Sequence, residues 1–142
     1  MLQPFLTSAV TILVLDTIWL TINKKYHDEL FKNVQRSPMQ IRFIPAVLVY
    51  ILIPFAVTYF AILQSKSISE SLQKGALIGL SMYGLYDLTN LATLQGWTVE
   101  MAIKDTLWGT FACAIASLLG YYFTKIYKFN IWVVEKIYNQ LM

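Results

Sequence analysis

One histidine and one cysteine occur among 142 residues, and that scarcity removes much chemistry at the outset. A lone cysteine, Cys113, forms no internal disulfide. It sits among small residues and reads as a packed thiol at a helix interface. A lone histidine, His27, excludes bis-histidine haem ligation and makes zinc and di-iron sites improbable. It lies on a charged segment and is expected to be solvated. Charge is scarce too. Asp, Glu, Lys and Arg make up 13% of the chain, against about 25% in ordinary soluble domains. Gly-x-Ser-x-Gly, P-loop and HExxH strings are absent, which removes the commonest hydrolase, nucleotide and zinc-protease signatures. No lysine falls in the middle of an apolar run, so a retinal Schiff base is not expected.

Apolar residues are abundant: 57% of the chain, with mean hydropathy +0.55. Four apolar runs stand out, near 4–22, 43–63, 72–94 and 98–122. Each is long enough to cross a hydrocarbon layer of about 30 Å as a helix. The first holds Asp16 and Trp19 and has no basic flank, so it reads as a retained span rather than a signal peptide. Pro54 lies inside the second run and should kink it. Thr98 is a candidate N-cap for the fourth, with Glu100 in its first turn.

The polar segment 23–42 carries a partial apolar face (Leu30, Phe31, Val34) and reads as an interfacial helix. The tail 125–142 repeats Ile126, Phe129, Trp132, Val133 and Ile137 at helical spacing. It reads as an amphipathic helix or an extension of the fourth span. The expected fold class is therefore an all-α membrane protein. Its core is an antiparallel bundle of four transmembrane helices over residues 1–124, followed by the tail. The net charge of +3 resides in short connections rather than in a basic stripe, so the partner is the lipid bilayer and not nucleic acid. Lysine and arginine bias places the 23–42 loop on the cytoplasmic side of this multi-pass chain.

Three carboxylates interrupt the apolar runs: Asp16 in LDTIWL, Asp87 in YGLYDLTN and Asp105 in IKDTLWG. Each costs about 2.5–3.5 kcal/mol on insertion scales, roughly 8–10 kcal/mol together. Alternating spans put all three at similar depth, roughly 9–12 Å below one membrane face. On the third run Gly75, Gly79, Tyr83, Tyr86, Asp87 and Asn90 share a stripe. On the fourth, Asp105 heads a stripe of Gly109, Ala112, Cys113, Ala116, Ser117 and Gly120. Small residues line helix contacts in membranes, so both stripes should face the bundle. DTIW and DTLW place an indole one turn beyond a carboxylate, able to donate its N–H or cover the site.

The strings Asp16 to Trp19 (DxxW), Tyr86 to Trp97 (YDLTNLATLQGW) and Asp105 to Gly109 (DxxWG) resemble a family of small predicted membrane proteins of unknown function. That family occurs in bacteria and in large algal viruses. The resemblance implies a compact four-helix membrane domain and supplies no activity. The tail after Lys125 departs from the family's short ending.

From the residues, the expected site is a pocket near one membrane face that binds a small polar ligand, a cation or a lipid headgroup. Asp16, Asp87 and Asp105 would carry the ligand or proton, and are the candidate ligands for a hard cation. Asn90, Tyr83 and Tyr86 would orient it, and Trp19, Trp108 and Trp97 would wall it. Such a pocket serves a transporter, for which a homodimer is expected, or an enzyme with an aspartate as general base. The other reading is a structural subunit or anchor in a membrane assembly, such as a viral envelope.

Overall fold

The computed structural model describes residues 1–142, apart from the side chain of Leu141, and contains only helices among the described residues. α1 spans Leu2–Ile22 and α2 spans Lys24–Gln35, with Asn23 as the single joint between them. The Asn23 side chain donates to the Trp19 carbonyl at 3.0 Å. The same carbonyl accepts the Asn23 backbone N–H at 2.9 Å, so both bonds close the end of α1. α2 stops where Arg36 adopts a left-handed conformation, φ 59°.

α3 covers Phe43–Ala56 and runs directly into a π turn, Val57–Ile62. Pro54 lacks the N–H that would bond back to Tyr50 and crowds the preceding turn. The irregularity expected at Pro54 takes the form of this π turn, which begins three residues downstream. Ser8 of α1 meets the disturbed backbone, with its hydroxyl 3.5 Å from the Pro54 carbonyl and 3.1 Å from the Thr58 hydroxyl.

α4 covers Ile68–Thr93 and α5 covers Val99–Leu141. Both begin with a side-chain cap: the Ser67 hydroxyl accepts from Glu70 N and the Thr98 hydroxyl from Met101 N, each at 3.1 Å. These bonds satisfy donors that a helix start leaves free. Gly96, at φ +91°, makes the turn between the two helices. α5 is unbroken over 43 residues, so the tail continues the fourth helix. Beyond Tyr121 most of its side chains are exposed.

Three helical stretches are long and apolar enough to cross a membrane: Leu2–Ile22, Phe43–Ile62 and Val99–Gln140. α4 is not among them, although it has 26 residues. Its composition is diluted by Glu70, Gln73 and Lys74 in its first turns, by Asn90, and by the small and polar residues Ser71, Gly75, Gly79 and Asp87 that it turns toward α5. There Ser71 and Ser117 exchange hydroxyl bonds, with their oxygens 2.7 Å apart. Gly75 lies against Cys113, Ala114 and Ser117, Gly79 against Gly109 and Thr110, and the Tyr83 ring covers Gly109. α1 packs along α5 and α3, and α4 packs on the π turn. The remainder of α3 leans on α1 and stands largely clear of α4. A wedge therefore opens between α3 and α4.

Candidate functional site

The DTIW and DTLW segments meet across the α1–α5 interface, and their aromatic partners are exchanged. Trp108 Nε1 donates to Asp16 Oδ1 at 3.1 Å. Trp19 lies beside Asp105, its Nε1 buried and short of a full hydrogen bond. The two indoles stack at 4.9 Å with planes 10° apart. Each carboxylate thus faces the indole of the other helix rather than its own. The reciprocity suits two helices that present the same D-x-x-W string to each other. A hydrogen bond to a charged group is worth about 1.5–3 kcal/mol, comparable to the insertion cost of one aspartate.

Asp87 is fully buried between α4 and α5. The Thr106 hydroxyl donates to its Oδ2 at 3.3 Å, while its Oδ1 has no partner. Trp97 and Asp105 are its other polar neighbours. The Trp97 indole N–H is buried without a partner. Its ring packs edge-on against Tyr86 and Phe31, each at 5.9 Å. Leu30, Trp97 and Met101 form a small apolar cluster under α2, so α2 roofs this end of the bundle. Tyr26 fastens the roof through a 3.1 Å bond to Thr98.

A cavity of about 420 Å³ fills the wedge between α3 and α4. Asp16, Asp105, Tyr50, Tyr83 and Tyr86 supply its polar surface, and Ala46, Val49, Leu52, Ile53 and Met82 its apolar walls. Of the residues singled out from sequence, Asp16, Asp105, Tyr83 and Tyr86 therefore come together at one cavity. Trp19 and Trp108 stand behind Asp105 and Asp16 rather than in its walls. Asp87, Asn90 and Trp97 do not line it. Asn90 stands beside the Tyr86 phenol. The three carboxylates meet through Asp105, which lies near both of the others. Among the described residues, however, no three His, Cys, Asp or Glu side chains are grouped so as to hold a metal ion. Asp87 faces Thr106 and Asp105 of α5 rather than the cavity that Asp16 and Asp105 line.

Residues 1–122 match the family described as Predicted membrane protein (DUF2177). The chain belongs to this family. No curated protein and no solved structure matches it. Every residue lining the cavity lies within the matched DUF2177 residues, whereas nearly all of the exposed part of α5 lies beyond them.

Two residues of this DUF2177 protein escaped the sequence reading. Tyr50 stands beside Asp16 at the cavity. A hydroxyl-bearing ring one turn before Pro54 in an otherwise apolar run was the signal available. His27 is not solvated as expected; it is 5% exposed. It packs edge-on against Trp19 at 6.2 Å, with Nε2 unpartnered. Burial pushes its imidazole below the ordinary range, and Asp28 partly opposes that. The amphipathic face of α2 turned it inward, which a reading of local charge missed.

Proposed function

We propose that this protein is a four-span bundle with alternating span directions, and that it holds a small polar group within the membrane. The cavity between α3 and α4 carries the reading. Carboxylates and phenols line it together with apolar side chains, of which Val49 and Leu52 are open toward the bilayer. Treating α4 as a span alongside the three apolar ones is supported by its outward residues. Leu77, Leu80, Leu85 and Leu88 are 49–72% exposed, as lipid-facing positions would be. A ligand reaches such a cavity sideways from the lipid rather than through the α2 roof. Basic residues on and around α2 favour the cytoplasmic side for that roof.

Native mass spectrometry in lipid nanodiscs tests the reading. A bound small molecule should be retained by the wild type and lost from folded Asp16→Asn and Asp105→Asn variants. If no extra mass is retained and both variants instead lose their fold, the carboxylates serve only to lock the helices. That outcome would favour the second reading, a structural subunit of a membrane assembly. The exposed aromatic length of α5 beyond Tyr121 supports that alternative.

A further inference from the structure

We infer that the group taken by this cavity is an alkylated ammonium head on a single apolar chain; the inference rests on the cavity being a ligand site. Three tyrosine rings (Tyr50, Tyr83, Tyr86) and two carboxylates (Asp16, Asp105) line one space of about 420 Å³. That volume lies in the range of small-molecule sites. Aromatic faces attract cations through their quadrupoles, and alkylated ammonium groups are recognised by cages of such rings. The carboxylates supply the countercharge. No basic side chain lines the cavity. Lys104 is paired with Glu100 and lies 5.1 Å over the Tyr26 ring. Behind Asp105, the fully buried Asp87 carries an oxygen with no donor, so this end of the bundle holds more acceptor capacity than the chain satisfies.

Other ligand chemistries fit less well. An anion would meet two carboxylates and no cation. A bare metal ion lacks a group of three ligating side chains among the described residues. The apolar walls decide the rest of the ligand. Val49 and Leu52 are 47% and 57% exposed, so a chain leaving the head runs past them into the acyl region. A soluble amine would leave that wall uncovered, whereas an amphiphile covers it.

Binding of tritiated dodecyltrimethylammonium to the full chain in nanodiscs tests the inference, with empty nanodiscs as background. Saturable binding is expected, displaced by unlabelled dodecyltrimethylammonium and not by dodecanol at equal concentration. Asp16→Asn and Asp105→Asn should each weaken it about tenfold. Tyr50→Phe, which keeps the ring, should retain more affinity than Tyr50→Leu, which should lose several-fold. The tyrosine pair decides the matter even if an aspartate variant does not fold. Equal displacement by dodecanol, with no effect of the aspartate or tyrosine changes, overturns the ammonium assignment but leaves the cavity as a site. Absence of saturable binding, both of tritiated dodecyltrimethylammonium and of tritiated dodecanol run in parallel, overturns both.

Discussion

Two alanine substitutions five residues apart on α4 should have opposite effects. At Gly79 an added Cβ falls onto the Gly109 carbonyl and 2.8 Å from Thr110 Cα. Both neighbours are α5 backbone, so no side chain can swing aside. Carbon atoms rest about 3.5–4.0 Å apart, so the helices must separate there by roughly 1 Å. Overpacking of this kind costs about 1–3 kcal/mol, a substantial part of the ~5–15 kcal/mol that holds a typical domain. At Gly84 the same Cβ meets only Thr106 Cγ2, at 3.7 Å, an ordinary contact. Alanine there restricts the unfolded chain and should stabilise by about 0.4–1 kcal/mol. Helix loss on titrating sodium dodecyl sulfate into mixed micelles, followed by circular dichroism, measures both. Gly79→Ala should unfold at lower detergent fraction than the wild type, and Gly84→Ala at equal or higher. The reasoning fails if Gly79→Ala matches the wild type, or if the two variants are equally damaged.

Replacing Trp108 with phenylalanine keeps a ring against Trp19 and removes the donor to Asp16. The same titration should show a loss of about 1.5–3 kcal/mol, partly recovered by adding Asp16→Asn; a neutral single variant would mean that the bond does not hold Asp16. The α2 roof should loosen in acid. His27 is held below its ordinary pKa of about 6.5, so the neutral form is favoured when α2 is docked. The docking energy is complete above about pH 6.5 and is lost as pH falls toward the lowered value. Amide exchange in α2, corrected for intrinsic rate, should quicken between about pH 7 and pH 5 in the wild type and not in His27→Gln. Equal quickening in both would remove His27 as the cause.

Much of the fold was legible because its signals are local. Apolar runs and the Thr98 cap act within a few residues, as does the Ser67 cap, which went unread because the run it opens becomes apolar only a turn later. The small-residue stripes were legible too, since helical periodicity alone puts Gly75 and Gly79 on one face. The stretch 72–94 shows where that reading was incomplete. Its expected membrane span is a helix in the structure, but too polar to qualify by composition. Some of its polar and small residues, among them Ser71, Gly75, Gly79 and Asp87, face α5, and a hydropathy window does not distinguish the two faces of a helix.

Residue order determined where helices start, where they stop, and that three aspartates lie among apolar neighbours. Those outcomes depend on side chains one or two turns apart. Tertiary packing alone decided that Trp108 serves Asp16, that Trp19 turns to Asp105, and that Asp87 is set apart from Asp16. It also brought Tyr50 to the cavity and His27 beneath the roof. These partners lie on different helices, and the wedge between α3 and α4 depends on how the π turn after Pro54 aims the rest of α3. An angle between distant helices is the sum of many small contacts, and no short stretch of sequence contains it.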